Sequence, residues 1–223
     1  MEDNRDLISI KTMAVQVADR IRDEILSRTI KPGSRITVKE IADRYNVSSM
    51  PVREAFNMLC GEQLLELNPY KGATVMAVTP ELMAQLNDVQ GALESLLVEL
   101  CMQKGYSKEL LDQLESINQE IDSLDEQGIR ERRIELNAQF HALEYSPCKD
   151  HMAYALFQKN LDQLHAIRRY QVTKMERVKQ TVDEHRMIIS ALRCNDVVSA
   201  VTLAKLHTKN SKIYALTAED YDI

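Results

Sequence analysis

The chain has 223 residues, of which 44% are hydrophobic and 28% charged, and it carries a formal net charge of −6. That length allows one large domain or two smaller ones with their own cores, while the acidic balance argues against a generally basic nucleic-acid coat. No apolar run approaches the roughly 20 residues needed to cross a bilayer. The start, MEDNRDLISIKT, is acidic and lacks an apolar signal core, so a cytoplasmic protein is expected.

Low glycine and proline, ten methionines and no tryptophan point to a mainly α fold. Cys60, Cys101, Cys148 and Cys194 lie far apart without a CxxC pair, which favours free thiols over a cysteine metal site. Charge is unevenly spread. Residues 20–53 hold eight Lys/Arg against four acids, a local +4 that leaves −10 on the rest. A basic front on an acidic body is compatible with DNA binding.

In chain order, MAVQVADRIRDEILSRTI (13–30) places Val17, Ile21 and Ile25 on one helical face, and KPGSR stops the helix. TVKEIADRY follows as a short helix capped by Thr37, with Val38, Ile41, Ala42 and Tyr45 inward. Asn46 and Val47 form a turn. A third helix then starts at Ser48 or Ser49 with Pro51 in its first turn, where a missing N–H costs little. Val52, Ala55, Phe56 and Leu59 make its core face, leaving Ser48, Ser49, Met50, Arg53 and Asn57 outward. LLELNPYKGATVMAV reads as two short strands around a Pro/Gly turn.

Three helices and a hairpin make a winged helix-turn-helix, over residues 1–78. Such a module sets its third helix in the DNA major groove, and an arginine fork suits guanine or phosphate. The same architecture also serves in protein interaction, with Arg53 pairing to Glu54 or Glu40 on a solvated surface.

The run PGSRITVKEIADRYNVSSMPVREAFNMLCGEQLLELNPYKGATV closely resembles the DNA-binding domain of the GntR family of bacterial transcription regulators. The matching elements are PG, the helix bearing IA, VS, PVREA, and the N-x-x-x-G wing at Asn68–Gly72. The resemblance implies Arg53 and Arg44 as operator contacts, with Lys39, Lys71 and Gly72 at the backbone or minor groove. The family commonly has arginine directly after VS. Ser49 stands there in this chain, so the operator need not be the family's common one.

Residues 79–223 read almost wholly as helix. Thr79 and Pro80 start the first, with Leu86, Val89, Leu93, Leu96, Leu97 and Leu100 as an apolar stripe. The second is capped by Ser107 and ends near Gly128, and the third stops at Pro147. Stretches 150–172, 174–193 and 196–217 follow with helical periodicity. This all-helical body resembles the ligand-binding domain of the FadR branch of the GntR family, called FCD.

Asn137 and His141 share a helix face, being four residues apart, while His185 and His207 lie on the last two helices. If those helices are neighbours, three imidazoles can converge on zinc, nickel, copper or iron. Dispersed histidines are also ordinary core or surface groups, and spacing alone leaves both readings open.

Many FCD proteins carry Asp-x-x-x-His, a histidine after glutamate and a final histidine that together bind a divalent metal. Here the pattern reads Asn137-x-x-x-His141, Glu184-His185 and His207, with an amide in place of the carboxylate. The resemblance implies a divalent transition metal, zinc or nickel foremost, in an effector pocket where a small carboxylate completes the coordination. Arg168 or Arg169 would supply a countercharge. Gln90 stands where the family often has arginine, which argues against the common dicarboxylate effector.

The expected protein is therefore a homodimeric regulator on a palindromic double-stranded operator, answering to a small effector. Two alternatives stay open. One is a metal-dependent hydrolase, for which no general base is evident, since Glu184 points about 100° away from His185 on its helix. The other is an effector-free DNA-binding protein with core histidines.

Overall fold

The structure, a computed structural model, describes residues 11–124, 130–168 and 174–217. The chain divides between Ala77 and Val78 into two compact units. The helix end read at Gly128 and the second candidate countercharge, Arg169, lie outside the described residues.

In the first unit, α1 spans Met13–Leu26, capped by the Thr12 side chain, and buries Val17, Ile21 and Ile25. It ends sooner than the KPGSR signal suggests. Arg28 takes a positive φ of 60°, and the Ile30 N–H turns back to donate to the Glu24 carbonyl at 2.8 Å. Strand β1, Arg35–Ile36, comes next, and α2, Val38–Tyr45, begins at its Thr37 cap. Asn46 closes α2 at φ 54°, in the left-handed region that asparagine tolerates better than most residues.

Helix α3, Ser49–Gly61, follows and buries Val52, Ala55, Phe56 and Leu59 against α1. Of these, Val52, Phe56 and Leu59 each contribute about 1.5–3 kcal/mol when taken from water. On α2, Ile41 and Ala42 are buried as expected, but Val38 and Tyr45 are only partly covered. The Tyr45 ring lies under two guanidiniums, Arg20 at 4.2 Å and Arg44 at 5.1 Å from its centroid.

Strands β2, Leu65–Asn68, and β3, Gly72–Val75, form the expected hairpin. The two-residue β1 joins it on the far side of β3, giving the antiparallel order β1-β3-β2. Gly72 is required at this crossing. Its φ is 86°, and a Cβ built there would lie 2.2 Å from the Ile36 carbonyl oxygen.

The second unit consists of α4 Pro80–Lys104, α5 Lys108–Ser123, α6 Arg130–Glu144, α7 Met152–Arg168, α8 Met175–Arg193 and α9 Val197–Thr217. A short 3-10 turn, Ser146–Cys148, links α6 to α7. Thr79 and Ser107 cap α4 and α5 through their hydroxyls. Helices α4 and α9 run antiparallel, with the Lys212 ammonium on Asp88 and the Thr208 hydroxyl on Glu94. The core gathers Leu97, Val98, Leu114, Phe140, Phe157 and Ile188, from five helices. Among the described residues, no helix is long and apolar enough to cross a membrane.

The inward face of α4 differs from the apolar stripe expected of it. Val89 is 50% and Leu96 43% exposed, whereas Asn87, Gln90 and Glu94 are buried. Those three meet polar partners. Gln90 donates to Glu94 at 2.9 Å and accepts from Asn160 at 2.7 Å, and Asn87 donates to the Met83 carbonyl at 2.7 Å.

Candidate metal centre and nucleic-acid interface

Three buried histidines from three helices converge in the second unit: His141 of α6, His185 of α8 and His207 of α9. Their ring centroids are 5.0–5.1 Å apart, and one nitrogen from each lies within 4.8 Å of the other two.

Each ring is held from behind through Nδ1. His141 meets Glu144 at 3.1 Å, His185 meets Asn118 at 3.1 Å, and His207 meets Glu184 at 2.7 Å. The Asn118 amide fixes the tautomer of His185. Its Nδ2 donates to the Val182 carbonyl at 2.9 Å, so its Oδ1 faces the imidazole and accepts from Nδ1–H. The lone pair of His185 is therefore on Nε2, which is fully buried and has no hydrogen-bond partner. Phe140 stacks on the same ring at 3.9 Å and keeps it from turning. Metal-binding histidines have this arrangement, with a carboxylate or carbonyl on one nitrogen and the other facing the ion.

Three carboxylates, Glu94, Glu144 and Glu184, and the Arg177 guanidinium are buried in the same unit, and buried charge is tolerated only when paired.

Burial pushes His185 well below its ordinary 6.5, helped by the charges of His207, His141 and Arg177. At His207 burial outweighs the bond to Glu184 and the shift is also downward. At His141 burial acts the same way, but the Glu144 contact prevails and holds the imidazole above 6.5. Burial raises Glu144. At Glu184 burial pushes upward, but the bonds from His207 and Asn210, with Arg177 nearby, overcome it and lower the carboxyl.

A pocket of about 120 Å³ opens on the cluster beside His207 and Asn137. It is close in size to a cavity of ~150 Å³ that admits benzene. Arg133, Arg168 and Arg177 line it, with the hydroxyls of Thr181, Ser211 and Tyr214 and an apolar wall of Ile121, Ile134 and Val178; among the described residues no carboxylate lines it. Arg168, one of the two expected pocket residues, also donates to Asn87 at 3.2 Å. The other, Gln90, does not line this pocket, because its amide is consumed by Glu94 and Asn160 between α4 and α7.

Sequence reading missed Arg133, Arg177 and Ser211. The signal was present as helical spacing: 133, 137 and 141 share a face of α6, 177, 181 and 185 one of α8, and 207 and 211 one of α9. His165 also lines the pocket, whereas His151 is exposed.

In the first unit the expected recognition groups are outward. Ser48, Ser49, Met50 and Arg53 are all exposed, Met50 by 66%. Ser48 occupies the cap position of α3 without a side-chain cap bond. Among the described residues Arg53 makes no ion pair, so the pairing with Glu54 or Glu40 is not formed. Lys39 and Lys71 are exposed and Gly72 is partly covered. Arg44 differs, since its guanidinium is engaged by the Glu24 carboxylate and by the Tyr45 hydroxyl at 3.2 Å. At the wing tip Tyr70 is fully exposed at a positive φ of 62°, and Arg35 holds the turn by donating to the Lys71 carbonyl.

Residues 13–75 match the bacterial regulatory proteins of the gntR family, and residues 85–210 match the FCD domain. The chain belongs to the GntR family, in its FCD branch. Relatives include the regulator YdhC of Bacillus subtilis, 27% identical over 80% of each chain. McbR of Escherichia coli is 23% identical over 83% of this chain and 84% of that one. In solved structures, E. coli McbR/YncC superposes with a TM-score of 0.69 at 18% identity, covering 92% of this chain and 98% of that one. A Listeria monocytogenes protein, Lar, gives 0.67 at 17% identity, with 94% and 99% covered. The GntR protein is thus a DNA-binding transcription regulator with an effector-binding FCD domain, not an enzyme. Glu184, the residue weighed as a hydrolase base, is occupied by His207, Arg177 and Asn210.

Proposed function

We propose that the helical unit of this regulator binds a divalent transition metal, zinc or nickel foremost, through Nε2 of His141, His185 and His207. Asn137 lines the same space, and a small carboxylate bound there modulates operator binding by the first unit. The single observation that carries this reading is the buried, unpartnered Nε2 of His185 inside a triangle of imidazoles whose Nδ1 atoms are all engaged. The effector class is supported by the three arginines that line the pocket. A metal there would act as a Lewis acid that anchors an anionic oxygen.

On DNA, Ser48, Ser49, Met50 and Arg53 are assigned to the major groove, and Lys39, Arg44, Lys71 and Gly72 to the backbone or minor groove. Arg44 would exchange Glu24 for phosphate. A homodimer on a palindromic operator suits a helix-turn-helix reader, and exposed apolar groups on the helical unit, Val89, Leu96, Leu206 and Ile213, are candidates for its contact.

The test is metal content of untagged protein beside His185→Ala, followed by gel-shift titration with zinc and a panel of small organic acids. About one equivalent of metal, lost in the variant, with an acid that changes operator affinity only when metal is present, is the expected result. Protein that takes up neither zinc, nickel nor manganese refutes the metal centre; the DNA-binding reading survives, and the effector must then be sought without a metal to anchor it.

A further inference from the structure

The pocket beside His207 is lined by successive turns of three helices leading away from the imidazoles: Asn137 and Arg133 on α6, Thr181 and Arg177 on α8, and Ser211 on α9. A hydrogen bond joins α8 to α9 there, from Arg177 Nη2 to the Ser211 hydroxyl at 3.0 Å. Arg177 is 7% exposed, and its Nη1 donates to Glu184 Oε2 at 3.1 Å. The same carboxylate oxygen accepts from His207 Nδ1 at 2.7 Å, while Oε1 accepts from Asn210 at 2.7 Å. One carboxylate thus ties the guanidinium to the imidazole and holds both in place. The pair has donors to spare. A guanidinium carries five N–H groups, and among the described residues Arg177 spends two of them, on Glu184 and Ser211. Ser211 accepts from Arg177, and among the described residues its own O–H reaches no acceptor. Buried donors without acceptors are unfavourable. Ser211 stands one turn beyond His207, about 6 Å along α9.

We infer that Arg177 and Ser211 are a second anchor in the effector pocket, and that the effector is a short dicarboxylate, with one carboxylate at the metal and the other on this pair. The inference rests on the metal and effector reading above. A carboxylate fits because its oxygens only accept, and two of them match the parallel N–H groups of a guanidinium. Glu184 offsets part of the charge of Arg177, but Arg133 and Arg168 line the same pocket. This guanidinium enters from α8, whereas Gln90, which stands where the family often has arginine, belongs to α4. The span between the two carboxylates is therefore set by the turn from His207 to Ser211, and not by the arrangement that Gln90 argues against.

The experiment titrates the zinc-loaded chain with malonate, succinate and glutarate, beside butyrate and 4-hydroxybutyrate, by calorimetry. The best diacid is expected to bind about tenfold or more tighter than butyrate, which lacks the second carboxylate. Ser211→Ala and Arg177→Lys, the latter keeping a cation beside Glu184, should each weaken that diacid by about three- to tenfold. Butyrate and zinc affinities should stay as in wild type. Zinc-loaded wild type that binds no diacid tighter than butyrate overturns the inference. So does 4-hydroxybutyrate matching the best diacid, which marks an anchor for a hydroxyl, and so does diacid affinity unchanged in either variant. Wild type that binds no zinc sinks the metal reading and the inference together, whereas zinc bound without a preference for diacids sinks the inference alone.

Discussion

Replacing Asn118 by alanine tests whether the tautomer of His185 is set from behind. Asn118 is 3% exposed and makes two hydrogen bonds, to the Val182 carbonyl at 2.9 Å and from His185 Nδ1 at 3.1 Å. Each contributes about 0.5–1.5 kcal/mol net, and a buried donor left unpaired costs about 1–3 kcal/mol. The Val182 carbonyl lies within α8 and keeps its helical partner, so the orphan that matters is the imidazole N–H. The metal-free helical unit should lose about 2–3 kcal/mol by urea unfolding. Zinc affinity should fall by about ten- to a hundredfold, since the proton is then free to move to Nε2 and the ring to turn. Asn118→Asp separates the two effects. Its carboxylate still accepts from Nδ1–H and should preserve zinc binding, while its other oxygen faces the Val182 carbonyl and lowers metal-free stability. Zinc affinity within about threefold of wild type in Asn118→Ala, despite the loss of stability, would refute the tautomer argument.

Three further outcomes are expected. Arg53→Ala removes an exposed side chain, so unfolding should shift by less than about 0.5 kcal/mol while affinity for an operator selected from random DNA falls by about 1–3 kcal/mol; equal binding would remove Arg53 from the interface. Gly72→Ala puts a Cβ 2.2 Å from the Ile36 carbonyl oxygen at φ 86°, so strain of about 1–3 kcal/mol should pull β1 from β3 and weaken DNA binding, seen by urea unfolding and gel shift. Metal retention should fall with pH, because only neutral imidazole binds. His185 and His207 are held below 6.5 and stay neutral above it, whereas His141 is held above 6.5 and is the first to compete for a proton. Affinity should thus begin to drop as pH falls toward 6.5, which zinc titration across roughly pH 5–8 would show; pH-independent binding would exclude imidazole ligands.

The recognition module was legible because its signals are local. The core face of α3 needs only its own spacing, and Thr37, Thr79 and Ser107 cap the helices that their positions announce. Strand β1 escaped because two residues carry no pattern; it exists only because Arg35 and Ile36 pair with Thr74 and Ala73. On α4 the apolar rule selected Val89 and Leu96, yet the helix turns Gln90 and Glu94 inward, because α7 and α9 offer them Asn160 and Thr208. Hydrophobicity cannot register partners 70 and 114 residues away.

Of the candidate site, the sequence determined the proposed ligand types: the positions of His141, His185 and His207, and the amide at Asn137. It also determined which helices carry them. Tertiary structure alone decided that α6, α8 and α9 bring the three rings together, that Asn118 orients the central one, and that arginines rather than acids surround the pocket. The physical reason is range. Helix faces and caps depend on residues within about a turn of one another, whereas buried charge is tolerated only where groups distant in the chain meet and compensate it.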